Sequence, residues 1–372
     1  MHPKRQIEEA NDAIAVFDLG GTWFRWGIYD SAGGLSGVSR RPAINYLSQP
    51  TLHARELQMA LTQLIIEQAR RTHERSQLQA VCVSIGAPVN AHDMTVLGSG
   101  PLWGPEAEPF SLRTHLAHAL PDLAWYIIND ITALLAPYMS PSDACRKTML
   151  ITVSSGIGSR LHDHRLGYIP FDTVHGVQGE IGHLVFPFQL DGQLVNRRCE
   201  CGGWNHMNAF SSGRGIAHTL RELPLLTRSY PALFSESTEN WRGADDDYRL
   251  SAFHTQLERG NDAATALLDA FVTPLSRALA TALSLDPEID RIVITGGVVR
   301  GLGRHYQQAL GRTFLRDGLY QISERDPEYL SRRLQWDATD DFSGLRGAGI
   351  YAARALGHIK NSANGEHDGV KN

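Results

Sequence analysis

The chain has 372 residues, 42% of them hydrophobic and 20% charged, with a formal net charge of -5, enough for two domains with sizeable cores. The acidic balance and dispersed Lys and Arg exclude a nucleic-acid or anionic-membrane partner, because those surfaces need clustered cations against phosphates. No apolar run reaches membrane-spanning length, no signal core follows Met1, and four cysteines make no disulfide framework, so a reducing cytoplasm is expected.

Residues 13–18 predict a buried strand, the Gly20-Gly21 turn follows it, and 23–30 predict a second strand returning beside the first. A helical pattern covers 52–73. Strands are expected over 80–85 and 124–129, and a helix over 131–138 opens directly after Asn129-Asp130. A second unit then begins in the same way. Residues 148–153 read as a strand, Ser154-Ser155-Gly156-Ile157-Gly158 as a tight turn, and the chain returns toward Leu166. This repeated device predicts two related α/β lobes facing each other across a central cleft.

Further along, 224–250 read as an irregular polar insertion. Residues 263–285 read as a long helix in which Pro274 is expected to make a kink or break. Residues 291–295 predict a buried strand ending at Gly296-Gly297, 302–315 a helix, and 344–356 a terminal helix whose small residues permit close packing. The expected division is a small lobe over 12–134, completed by helix 344–358, and a large lobe over 135–343. Residues 1–11 and 361–372 are expected to be frayed tails.

Asp18, Gly20, Gly21 and Thr22 stand where the first strand ends. Glycines let backbone amides approach a phosphate, Thr22 adds a donor, and Asp18 suits a magnesium ion held through water. A plain hairpin turn explains the glycines equally well taken alone, but Ser155, Gly156 and Gly158 repeat the pattern in the second unit. Gly296 and Gly297 offer a third such turn. No Gly-Lys-Ser/Thr and no dinucleotide fingerprint follows the first strand, so phosphates would be gripped by opposed hairpins. Asp130 opens a helix, which makes it either a cap or a carboxylate that accepts a substrate hydroxyl's proton during phosphoryl transfer, with Asn129 bonding a neighbouring hydroxyl.

Gly179-Glu180-Ile181-Gly182-His183 precedes Cys199-x-Cys201 and His206. His183, Cys199, Cys201 and His206 form a two-thiolate, two-imidazole set suited to a structural zinc ion, and Glu180 is an acceptor held beside that node. Cys82, in an apolar run, reads as an inert core thiol.

Taken in order, these motifs resemble the ROK family of repressors and sugar kinases, within the actin-like, hexokinase-like ATPase superfamily, over residues 13–357. The resemblance implies Asp130 as catalytic base, Asn129, Glu180 and His183 on sugar hydroxyls, ATP with magnesium on the glycine turns, and commonly a homodimer. It also implies departures. His206 replaces a cysteine, Asn208 replaces a glutamate facing the anomeric side of the sugar, Ser154-Ser155-Gly156 replaces a glycine-threonine-glycine turn, and the usual Pro-Asn-Leu contact is missing near Ser99–Trp103.

The main expectation is therefore an ATP-dependent kinase of the 6-hydroxyl of a hexose or hexose-like polyol. The alternative is a modified substrate, a C7-cyclitol phosphorylated at its 7-hydroxyl or an amino sugar. A sugar-responsive repressor is disfavoured because only a dozen residues precede Ala13, too few for a DNA-binding module, and the charge is wrong. A silent sugar-binding protein is disfavoured by Asp18, Asp130 and both glycine turns.

Overall fold

The computed structural model describes residues 13–357 except 31, 47, 105, 141–143, 235–240, 242 and 338, so both expected tails lie outside the described residues. The chain divides into two compact units. One takes the chain up to 143, the segment 171–177 and the chain from 340; the other takes 144–170 and 178–339.

The first unit is built on a five-stranded mixed sheet in the order β3-β2-β1-β4-β5. Its strands are β1 (Ile14–Leu19), β2 (Trp23–Tyr29), β3 (Leu35–Pro42), β4 (Ala80–Ile85) and β5 (Ala124–Asn129). Strand alternation sorts the side chains onto two faces. Ala15, Phe17 and Leu19 of β1, with Val81, Val83 and Ile85 of β4, share a core with Leu57, Leu61 and Ile65 of the helix Ala54–Ser76. Ile14, Val16, Ala80 and Cys82 pack instead with Leu345, Ala348 and Ala352 of the helix Ser343–Ala355. The small residues of that helix permit its close approach. A β-carbon on Gly347 would overlap the Ala133 carbonyl, and one on Gly349 would overlap the Tyr29 ring.

The second unit carries a four-stranded sheet, β11-β10-β6-β7. Here β6 (Lys147–Val153) and β7 (Ile157–Asp163) form a hairpin, and β10 (Ile289–Thr295) runs parallel to β6 and to β11 (Leu334–Trp336). A two-stranded ribbon, β8 (Gln189–Leu190) with β9 (Gln193–Leu194), lies in the loop before the cysteines. The helix Asp262–Leu285 buries Leu267, Phe271, Leu275 and Leu279 in this unit's core. Among the described residues it is the one helix long and apolar enough to cross a membrane, and its apolar stretch is largely buried in the fold.

Several sequence expectations are corrected. Pro274 does not break its helix, which runs continuously through it. The missing amide removes one backbone bond, but Phe271, Pro274 and Leu275 are all buried there, and packing holds the turn together. The interruption falls instead at Gly303, whose φ of 48° and ψ of -125° join two helical pieces within Gly297–Asp317. The segment 224–250 is not simply irregular. Helices Leu223–Ser229 and Asp246–Glu258 and the short turn Pro231–Phe234 account for most of its described residues. β3 and the helices Gly100–Trp103 and Leu112–Ala119 had no counterpart in the sequence reading. β3 is almost wholly exposed, so no apolar alternation announced it.

Candidate functional site

In the first unit, parallel β1, β4 and β5 end level with one another, Leu19 opposite Ile85 and Ile85 opposite Asn129. In α/β sheets, ligands bind beyond the carboxyl ends of such strands. Three chain turns converge there: Gly20-Gly21, Gly86, and Asn129-Asp130. A β-carbon placed on Gly86 would stand 3.6 Å from both an Asp130 carboxylate oxygen and the Leu19 carbonyl, and 3.8 Å from Gly20. Asn45 Nδ2 donates to the Gly21 carbonyl at 2.5 Å, and the Ala43 amide donates to the Thr22 carbonyl at 3.0 Å, so the glycine turn is braced from behind.

Asp18 and Ser84 are register partners on β1 and β4. The Ser84 hydroxyl donates to Asp18 Oδ1 at 3.4 Å, and Arg25 Nη1 lies 3.7 Å from Oδ2. Burial pushes the Asp18 carboxyl up, against the lowering pull of Arg25 and of the Ser84 hydrogen bond. A carboxylate in that balance gains from a further cation.

Asn129 is the cap of the helix Asp130–Leu135, a role the sequence reading offered to Asp130 as one of two. Its Oδ1 accepts from the Ile131 amide at 2.9 Å and its Nδ2 donates to the Ala87 carbonyl at 2.9 Å. Asn129 is buried and uses both ends of its amide on backbone. It therefore orients the start of the helix and welds β5 to the chain after β4. Asp130, half-buried, also accepts from the Ile131 amide through Oδ1, at 2.9 Å, and its Oδ2 is the oxygen nearest Gly86.

The second unit repeats the arrangement around the β6–β7 hairpin. Ser154 closes the turn by donating its amide to the Gly156 carbonyl at 2.9 Å, and Ser155 is exposed at its tip. The Gly213 amide donates to the Ser154 carbonyl at 2.7 Å, and Arg214 Nε donates to the Ser155 carbonyl at 3.0 Å. At the end of β10, Gly296 takes a φ of 113°, and a β-carbon there would overlap the backbone of Val153. Only glycine fits so close a crossing. The turns Ser154–Gly156 and Gly296-Gly297 thus lie side by side, both at carboxyl ends of parallel strands. Gly158, the last of the predicted hairpin positions, is buried within β7.

The acidic loop is anchored to β7. The Ser159 amide donates to the Gly179 carbonyl at 2.8 Å, and a β-carbon on Gly179 would overlap the Ser159 carbonyl. Arg160 is 1% exposed. Its Nη1 donates to the carbonyls of Ser159, at 2.8 Å, and Gln178, and stands 3.7 Å from Glu180 Oε1. Glu180 itself keeps 37% of its side chain exposed, so a buried cation holds a reachable carboxylate. Asn208 Oδ1 accepts from the Ile157 amide at 2.7 Å, while its Nδ2 lies 3.5 Å from His183 Nε2.

His183, Cys199, Cys201 and His206 each turn one ligating atom into the same space, all within 4.8 Å of one another. His183 Nδ1 and His206 Nδ1 are 3.4 Å apart, and Cys201 Sγ is 3.1 Å from His206 Nδ1. A tetrahedral ion with bonds of about 2.0–2.3 Å sets its ligand atoms roughly 3.3–3.8 Å apart; the 3.1 and 3.4 Å approaches stand near that spacing, and two thiols with two imidazoles are donors that suit a zinc-type cation. Burial lowers the His183 imidazole, against the raising pull of Glu180, which favours the neutral form that ligates metals. Burial pushes the Cys199 thiol up, a cost that a divalent cation offsets by taking the thiolate.

Sequence reasoning missed Arg160, Ser84, Asn45 and Arg214. Arg160 shares its face of β7 with Gly158 and His162, so no apolar alternation marked it as buried. The others act through contacts distant in sequence, Ser84 to the Asp18 carboxylate and Asn45 and Arg214 to backbone carbonyls, that no local pattern announces. Cys82 is a fully buried core thiol, and burial pushes its pKa far up.

Comparison with known proteins places these features in a family. The chain is 39% identical over 348 residues, 93% of its length and 94% of the relative's, to a 2-epi-5-epi-valiolone 7-kinase from an Actinoplanes species. It is 32% identical over 354 residues, 92% of its length and 95% of the relative's, to a C(7)-cyclitol 7-kinase from Streptomyces hygroscopicus subsp. limoneus. The crystal structure of a ROK hexokinase from Thermus thermophilus shares the fold, with a TM-score of 0.64 at 20% identity over 92% of this chain and 99% of that one. With the family's sequence profile matching residues 14–355, the chain belongs to the ROK family.

Proposed function

We propose that this chain is an ATP-dependent kinase that phosphorylates the 7-hydroxyl of a C7-cyclitol. The observation that carries the substrate is the near full-length likeness to relatives named as cyclitol 7-kinases, at 39% and 32% identity. It favours the cyclitol alternative over the hexose reading. Asn208 supports the same choice. A carbocyclic ring has no ring oxygen and no anomeric centre, and the position expected to face that side bears an amide already tied to Ile157.

In this reading Asp130 accepts the proton of the attacking hydroxyl. The hydroxyl oxygen forms a bond to the γ-phosphorus, the bond from that phosphorus to the bridging oxygen breaks, and ADP leaves. Phosphoryl transfer rests mainly on alignment and charge neutralisation, so Asp130 needs a fixed direction more than a raised basicity. Asn129 supplies that direction by capping the helix. Glu180, oriented by Arg160, and His183 hold other hydroxyls of the ring. Thr22 and the amides of Gly20 and Gly21, with Ser155, Gly156, Gly296 and Gly297, bind phosphate oxygens and the nucleotide. Asp18 is the carboxylate suited to hold magnesium through water, and that ion, brought with ATP, supplies neutralisation of the phosphate charge. His183, Cys199, Cys201 and His206 would hold zinc as a structural node, stiffening the loop that carries Glu180.

The test is ATP-dependent phosphate transfer measured by ADP release against 2-epi-5-epi-valiolone, other C7-cyclitols, glucose and amino sugars. A kcat/KM for a cyclitol well above that for glucose is expected. Equal or better use of glucose would overturn the substrate assignment, and no transfer to any acceptor would overturn the kinase itself.

A further inference from the structure

A second group of side chains with metal-ligating atoms lies in the second unit, and the proposed reaction uses none of them. His254 and Glu258 sit one turn apart on the helix Asp246–Glu258, so both side chains leave the same face. His305 comes from the neighbouring helix Gly297–Asp317 and is 13% exposed. His305 Nε2 is 2.8 Å from Glu258 Oε1, and His254 Nε2 is 3.8 Å from that same oxygen. The two rings meet edge to face, with centres 5.8 Å apart. All three ligating atoms lie within 4.8 Å of one another.

We propose that His254, Glu258 and His305 form a second divalent-metal site, for a borderline transition ion such as Zn2+, Ni2+ or Co2+, with its remaining positions open to water. Two imidazoles and a carboxylate are the donors such ions favour over magnesium or calcium. Glu258 closes its helix, where the carbonyl ends favour a cation. The site competes with Arg304, whose Nη2 lies 2.6 Å from Glu258 Oε2. Occupied, it clamps the helix Asp246–Glu258 to the one that begins at Gly297.

Arg304 separates this assignment from a mere ion-pair staple. If the cluster is only an ion-pair network, Arg304→Gln loosens the helices and creates no metal affinity. If it is a metal site, Arg304→Gln frees a carboxylate oxygen and tightens binding. The probe is Co2+ added to the intact protein as purified, followed by calorimetry and absorption. A cobalt ion in the cysteine cluster shows intense thiolate charge-transfer bands, whereas one held by two imidazoles and a carboxylate shows only weak visible absorption. One equivalent without the thiolate bands is expected, weakened roughly tenfold or more by His305→Ala and by His254→Ala. His254 is 40% exposed, so its replacement leaves a folded protein even if that of His305 does not. Absence of this equivalent, binding indifferent to both histidine variants, or weaker binding in Arg304→Gln overturns the proposal.

Discussion

Glu180 and Arg160 should be energetically coupled, and the size of that coupling can be worked out. At 3.7 Å and an effective dielectric of about 20 the pair attracts by roughly 4 kcal/mol. With 37% of the Glu180 side chain exposed, screening reduces this to about 1–2 kcal/mol. Glu180→Gln removes that attraction and leaves the buried guanidinium with its carbonyl acceptors, so it should cost about that amount. Arg160→Met should cost more, about 2–4 kcal/mol, because two carbonyls also lose a donor. The double variant should then fall short of the sum by about 1–2 kcal/mol, as expected for residues in contact. Urea unfolding of the four proteins measures this. A coupling below about 0.5 kcal/mol would refute the claim that Arg160 holds Glu180 in place. The kinetic counterpart is specific. Arg160→Met leaves the carboxylate chemically intact but unguided, so the cyclitol KM should rise more than kcat falls.

Asp130→Asn should lower kcat by about 10²–10⁴ while calorimetry finds cyclitol affinity largely kept; near-normal turnover removes Asp130 as the base. Gly344→Ala places a methyl 2.7 Å from the Asp18 carboxylate. The displaced group is the buried carboxylate that Ser84 and Arg25 hold, so the melting temperature should fall and the KM for magnesium-ATP should rise several-fold in the protein that folds; unchanged nucleotide kinetics would count against Asp18 as the magnesium anchor. Metal analysis of protein purified without chelator should find zinc in the cysteine cluster, and a strong chelator should lower the melting temperature, because structural zinc couples to folding. Protein with intact Cys199 and Cys201 but no bound metal would sink that expectation.

Much of this arrangement was legible in the sequence because the signals were local. The buried strands β1, β4, β6 and β10 carry apolar runs that end at glycine-bearing turns, β5 ends at Asn129-Asp130, and the four candidate metal donors fall within 24 residues of each other. What stayed hidden depends on partners far away in the chain. β3 has no apolar face. The segment 171–177 leaves its sequence neighbours to join the first unit, where the Ala91 amide donates to the Gly176 carbonyl at 3.0 Å. The break offered at Pro274 is absent and the one at Gly303 went unread, because propensity is a weak guide to where a helix is interrupted. Pro274 is carried through its helix by a buried surround, whereas Gly303, in the middle of an apparently regular pattern, is where the backbone turns away.

Asn208 shows how a motif position can carry more than the chemistry first assigned to it. By position it reads as a substrate contact, changed from a carboxylate to an amide. In the fold its Oδ1 accepts from Ile157, the first residue after the hairpin turn, and it stands two residues beyond the metal donor His206 with its Nδ2 toward His183. A glutamate there would carry the acceptor one carbon further and remove the donor facing His183. The substitution that would restore the family's usual residue would therefore loosen the turn meant to hold phosphate as well as alter the sugar side. Poor glucose use by Asn208→Glu could not be read as evidence about the substrate unless the KM for ATP were measured beside it. An unchanged KM for ATP in that variant would show that the Ile157 bond is dispensable, and would leave Asn208 as a specificity residue alone.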